Sequence, residues 1–106
     1  MSTKEELYDE AEKLKQEGKL EESVAKLNEI LKIDPNEAVA YSALAVVLSR
    51  LGRNDEAIQS AIKVCEIEPD DPFSFTALSV TYQRAGRIPE AEDAMARARM
   101  MQEGPM

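Results

Sequence analysis

Apolar and polar positions along the chain recur at a fixed distance. The stretch KIDPNEAVAYSAL (32–44) overlays EIEPDDPFSFTAL (66–78) when it is moved by 34 residues. Pro35 then falls on Pro69, Tyr41 on Phe75, and the pair Ala43-Leu44 on Ala77-Leu78. Glycines punctuate the pattern at the same interval, since Gly18, Gly52 and Gly86 stand 34 residues apart. They lie in the related segments EGKLEESV, LGRNDEAI and AGRIPEAE, each with a basic residue (Lys19, Arg53, Arg87) next and acidic residues soon after. The chain divides into units 4–37, 38–71 and 72–105, so that 4–105 reads as a single domain.

Each unit predicts two helices. Glycine suits the left-handed position just past a helix end, so each Gly closes a first helix. The basic residue beside it is expected to complement the negative end of that helix. The acidic residues that follow (Glu21, Glu22, Asp55, Glu56, Glu90) complement the positive start of the next one. Pro89 fits a first helical turn, where no N–H is missed. Pro35 and Pro69 end the second helices, and Asp70 or Asp71 before Pro72 reads as a cap. Helices are expected over 4–17, 21–33, 38–51, 55–67, 72–85 and 89–101.

At this period the pattern resembles the tetratricopeptide repeat. That family asks in order for a large residue, Leu, a small residue and an aromatic in the first helix. The second helix asks for Ala, a large residue, Ala and a closing Pro. The middle unit offers Tyr41, Leu44, Ala45, Leu48, Ala57, Ala61, Val64 and Pro69. The last offers Phe75, Leu78, Ser79, Tyr82, Ala91, Met95 and Ala98, with Glu103 where Pro belongs. The first offers Leu7, Ala11, Leu14, Ser23, Leu27, Ile30 and Pro35, with Glu10 where Leu belongs. The resemblance implies an all-α fold: a right-handed α-solenoid of six antiparallel helices, without strands. Roughly three units are the least that make such a stack stable. Its ends should be polar. Ile58, Ile62 and Cys65, which meet the following unit, give way to Glu92, Ala96 and Arg99 in the last unit. Met95, Met100, Met101 and Met106 leave an apolar fringe at that end.

Composition narrows the function. The 106 residues carry 21 acidic and 13 basic side chains, net −8, which disfavours nucleic acid and anionic lipid as partners. The excess is graded. Residues 4–37 hold 11 acidic and 6 basic side chains (net −5), 38–71 hold 6 and 3 (net −3), and 72–105 hold 4 and 4 (net zero). The opening MSTKEELYDEAEKLKQEGKL has no apolar core of a secretory signal, and no stretch reaches the ~18 apolar residues of a membrane span. A cytoplasmic protein without membrane insertion is expected. One cysteine, Cys65, forms no intrachain disulfide and reads as core packing. Histidine is absent, glycines stand singly between helices, and carboxylates such as Glu5, Asp9 and Glu12 read as a solvated helix face. No enzyme, metal or cofactor is expected.

The resemblance implies a scaffold that binds peptides or partner helices, with the first helix of each unit lining a concave face. The lining positions are Glu5, Tyr8, Glu12, Lys15 and Gln16 in the first unit. They are Val39, Ser42, Val46, Ser49 and Arg50 in the second, and Phe73, Thr76, Val80, Gln83 and Arg84 in the third. Co-chaperone members of the family grip C-terminal carboxylates through Lys, Asn and Arg. The corresponding places here hold Tyr8, Glu12, Ala43, Phe73 and Ala77, so that partner class is excluded. What remains is an apolar strip (Val39, Val46, Phe73, Val80) beside a basic end (Arg50, Arg84). Phe73 is either covered by the second helix of the preceding unit or open to the groove. The expected function is a protein-interaction adaptor. The alternative is a self-assembly module that pairs copies through the groove or the methionine-rich C-terminal helix.

Overall fold

The computed structural model describes residues 2–104. Six helices follow one another: α1 (Lys4–Gln16), α2 (Leu20–Ile33), α3 (Ala38–Arg50), α4 (Asn54–Ile67), α5 (Pro72–Arg84) and α6 (Ile88–Glu103). Among the described residues there is no strand. The second helices begin one residue earlier than expected, because Lys19, Arg53 and Arg87 serve as N-caps and the next residue is already helical. α6 runs two residues past its expected end. Proline follows α2 and α4 closely at Pro35 and Pro69, but the equivalent place in the last unit is Glu103, and the helix stops at Gly104. Met106, counted above in the apolar fringe, lies outside the described residues.

The three turns share one geometry. Gly18, Gly52 and Gly86 have φ of +79, +76 and +77°. Each glycine N–H donates three residues back, and the next N–H donates five residues back, from Lys19 to Leu14 (2.8 Å), Arg53 to Leu48 (2.9 Å) and Arg87 to Tyr82 (2.8 Å). Both bonds occupy carbonyls that a helix end leaves open, and both require the left-handed residue. Lys19 stays at the preceding helix end, 3.8 Å from the carboxylate of Glu17, the C-cap of α1, but the two arginines do not sit there as expected. Arg53 places Nε and Nη2 on the two oxygens of the Glu56 carboxylate at 2.8 and 2.6 Å, and Arg87 turns both Nε and Nη2 to one oxygen, Oε2, of Glu90. Each arginine is thus drawn to the acidic first turn of the following helix, where a carboxylate is three residues away.

Helices pack in sequence order, each against the next, and α3 also touches α5. α3 and α5 are thus the non-consecutive helices in contact, while a trench lined by Val24, Leu31, Tyr41 and Gln59 separates α2 from α4. The body is elongated, measuring 50 × 26 × 18 Å. The interior falls into two clusters. Leu7, Ala11, Val24, Leu27, Ile30, Ala40, Leu44, Val47, Leu48 and Ala57 form the first. Ala45, Ala61, Cys65, Leu78 and Ala94 form the second. Glu10, where the family pattern has Leu, is half-buried on the unpartnered side of α1 and is met by Lys26 at 3.1 Å.

Candidate functional site

The residues expected to line a concave face lie on the first helices α1, α3 and α5. On α3 and α5, Val39 is 65% and Phe73 70% exposed, while Val46 is 36% exposed and Val80 half-buried. Val39 and Phe73 are therefore the open pair, and Val46 and Val80 are more covered. The start of α5 explains Phe73. Pro72 opens the helix, and the Asp71 carboxylate accepts the Phe73 N–H at 3.0 Å, which fixes where the helix begins. Phe75 then packs against the second cluster. Two residues along a helix turn a side chain through roughly 200°, so Phe73 faces away from that interior. No helix covers it.

The polar lining residues differ in how far they are already engaged. Ser42, Gln83, Arg50 and Arg84 are exposed, whereas Thr76 is half-buried and spends its hydroxyl on the Pro72 carbonyl at 3.2 Å. Arg50 and Arg84 form no ion pair among the described residues. The Glu12 carboxyl on α1 is held below the usual carboxylate range by hydrogen bonding to Lys15, with smaller help from Gln16 and from the charge of Arg50. Arg50 thus already feels an acidic neighbour, and Arg84 carries the freer positive charge.

Tyr8 belongs to the same expected lining but is not a free member of it. Its hydroxyl donates to Glu37 Oε2 at 2.7 Å, and Lys4 Nζ reaches the other oxygen of Glu37 at 3.3 Å and Asp34 at 3.5 Å. Burial, then the bond and charge of Glu37, push the Tyr8 phenol well above its ordinary value. Glu37 is the N-cap of α3, so this network ties the outermost helix to the next unit. The sequence carried no signal for it, since Tyr8 and Glu37 are 29 residues apart. Two further contacts were equally silent. Arg97 lies over the Phe75 ring at 5.0 Å and Arg87 over Tyr82 at 5.8 Å.

Among the described residues no group of three His, Cys, Asp or Glu side chains is placed to hold a metal. Cys65 directs its thiol at the Ser74 carbonyl, 3.4 Å away, and burial pushes its pKa up, which suits packing between α4 and α5. No helix of the described residues is long and apolar enough to cross a membrane.

Two family models match the sequence: a TPR repeat model over residues 11–52 and a tetratricopeptide repeat model over residues 38–71. Together they span more than half of the chain. The chain belongs to the tetratricopeptide-repeat family. Solved structures of this fold superimpose closely. A MamA crystal structure matches with a TM-score of 0.84 at 21% identity, over 95% of this chain and 59% of that one. The Yersinia enterocolitica type III secretion translocator chaperone SycD gives 0.83 at 22%, over 96% and 77%. YrrB, described as a TPR protein with an unusual peptide-binding site, gives 0.83 at 20%, over 97% and 53%. At these identities the likeness establishes the fold. The tetratricopeptide-repeat chain spans about three fifths of the length of the MamA chain it matches. No curated protein sequence matches it.

Proposed function

We propose that this tetratricopeptide-repeat chain is a non-catalytic cytoplasmic adaptor that takes an extended or helical protein segment into its inner face. One observation carries the reading: Val39 and Phe73, at equivalent positions of the first helices α3 and α5, which touch, are 65% and 70% exposed. A phenylalanine left in water forfeits roughly 1.5–3 kcal/mol of burial, and a partner recovers it. Val46 and Val80 continue the apolar strip inward, and Arg50 and Arg84 favour an acidic residue next to the partner's apolar anchors. Tyr8, Ser42, Thr76 and Gln83 complete the lining. Two relatives in fold, a secretion chaperone and a protein with a peptide-binding site, are interaction proteins by description. A C-terminal carboxylate is not the ligand, because Glu12, Ala43 and Ala77 stand where such a clamp needs cations and amides.

A photo-crosslinker placed at residue 73 identifies the segment, and calorimetry with that segment tests the reading. Phe73→Ala is expected to weaken binding by about 1–3 kcal/mol, as for an aromatic anchor. Arg50→Ala with Arg84→Ala should weaken it less, mainly at low salt, because exposed charges add orientation and on-rate more than net energy. Removing Glu5 and Glu12 should change little or help slightly. Binding that is unchanged in Phe73→Ala, with the fold intact, refutes the groove as the site.

A further inference from the structure

Among the described residues the outer face of α6 has no neighbour, although the same face of α4 is covered by α5. Where α4 presents Ile58, Ile62 and Cys65, α6 presents Glu92, Ala96 and Arg99, all exposed. Asp93 and Met100 flank them, and Met100, at 71%, is the most exposed large apolar side chain among the described residues. Next to it lies a shallow depression lined by Asp93, Ala96, Arg97, Met100 and Met101. Acidic residues therefore sit toward the start of this face, a small residue at its centre, and a cation and a methionine toward its end. Glu92, Asp93 and Arg99 form no ion pair among the described residues.

We propose that this face pairs with itself in a second copy of the chain, α6 against α6 in antiparallel, about a two-fold axis near Ala96. The order of residues is self-complementary under that symmetry. Asp93 and Arg99 each lie three residues from Ala96, so each meets the other's counterpart across the axis. Met100 and Glu92 are likewise four residues to either side, which brings the partner's Met100 to the depression beside Asp93 and Ala96. Ala96 lets the two helices approach closely. A two-fold interface is closed and uses one patch twice, as most homo-oligomers do. The charge gradient selects this end. Residues 72–105 carry 4 acidic and 4 basic side chains, whereas residues 4–37 are net −5, and two such ends repel. One helix per copy covers less than the ~800 Å² per partner of a standard stable interface, so the dimer is weak and forms at high protein concentration. The inference stands apart from the groove, which stays open in the dimer.

Sedimentation equilibrium of the whole chain, from micromolar to millimolar, reads the association directly. A reversible monomer–dimer equilibrium is expected. Arg99→Asp should raise the dissociation constant by about tenfold or more by setting like charges opposite each other. Adding Asp93→Arg to it should restore pairing, because the charges are then exchanged. Ala96→Arg should abolish the dimer, and Phe73→Ala should leave it unchanged. Circular dichroism confirms that each variant keeps its helices. A chain that stays monomeric throughout overturns the proposal. So does a dimer indifferent to Ala96→Arg, one that dissolves in Phe73→Ala, or a charge exchange that fails to restore pairing.

Discussion

The α1–α2 pair and the α5–α6 pair cross at equivalent points, and each crossing carries one buried serine, on opposite helices. In the first pair Ser23 of α2 donates to the Ala11 carbonyl of α1 at 2.8 Å. In the third pair Ser79 of α5 donates to the Ala91 carbonyl of α6 at 2.7 Å. Small side chains on both sides let the backbones approach, and a hydroxyl from either side satisfies itself there. The middle pair uses Ala45 and Ala57 at these places and needs no hydroxyl. What differs between the two ends is the filling around the crossing. The first pair shares an aliphatic interior with α3 that includes Leu7, Val24, Leu27, Ile30, Leu44 and Val47. The third packs Leu78 and Ala94 against Ala61 and Cys65, with Phe75 and Tyr82 half-buried under arginines. One backbone plan thus accepts two kinds of core, but not with equal stability. Burial scales with apolar area, and in a stack each unit is held only by its neighbours. The C-terminal pair should be the first to open.

Truncation of one leucine at each end tests this most strongly. Leu27 is 2% exposed at the centre of the first cluster, and Leu27→Ala should cost about 3–5 kcal/mol in urea unfolding. Leu78, at 8%, has alanines and a cysteine for neighbours, and Leu78→Ala should cost about 2–3 kcal/mol. Hydrogen exchange in the unmodified chain should release α5 and α6 amides before those of α2 and α3. Equal costs at the two leucines, with uniform exchange, would erase the difference between the ends.

The turns supply a smaller perturbation common to both ends. A Cβ built on Gly52 meets nothing within 4 Å, so the cost of a substitution there is backbone strain alone. Gly52→Val should lose about 1 kcal/mol or more, since a β-branched residue is poorly accommodated at positive φ. Gly18 and Gly86 have the same φ and the same empty surroundings, so the intrinsic strain is the same at all three. Any difference among the three valine variants then reports the stability of the unit rather than the turn. An unchanged melting temperature for Gly52→Val would show that the left-handed turn is dispensable.

The fold was legible because its information is periodic. Glycines at the turns, prolines after α2 and α4, and apolar positions at helical spacing each appear at least twice, so every reading checked another. Which residues share a face of α3 or α5 follows from position along a regular helix, and the exposure of Val39 and Phe73 follows with it. Contacts between side chains far apart in sequence were not legible. Nothing local announces that Tyr8 meets Glu37, or that Arg97 lies over Phe75. The turn arginines misled because two sites of opposite advantage lay within reach: the end of one helix and the acidic start of the next. A missed signal was local. Thr3 and Glu6 form a reciprocal cap on α1, each side chain accepting the other's N–H at 3.2 Å, and their spacing is the usual mark of such a cap.

The finest difference between the ends is in alkaline solution. α1 is fastened to the start of α3 through Tyr8, Lys4 and Glu37, and the third unit has Thr76 and Pro72 where Tyr8 and Lys4 stand. The Tyr8 phenol is raised in the folded chain, first by burial and then by the hydrogen bond and charge of Glu37. The Lys4 ammonium is raised as well, chiefly by its hydrogen bond to Glu37. A group whose pKa is raised by folding stabilises fully below its unfolded pKa, and that stability is lost as the pH rises through the folded value. Loss of stability is therefore expected from about pH 10 upward, where free tyrosine ionises. The share of Tyr8 and Lys4 should fall on the attachment of α1, while the buried Cys65 thiol, also raised, adds a loss of its own between α4 and α5. Tyr8→Phe keeps the ring and removes the hydroxyl. It should cost about 1 kcal/mol or less at neutral pH, the net value of one hydrogen bond. It should also flatten the alkaline decline of α1, and the slope that remains there belongs to Lys4 and to Lys26, which is raised by Glu10. Amide signals of α1 followed by NMR through that range read the effect directly. An alkaline decline of α1 identical in Tyr8→Phe and the unmodified chain would show that the hydroxyl does not fasten the first helix.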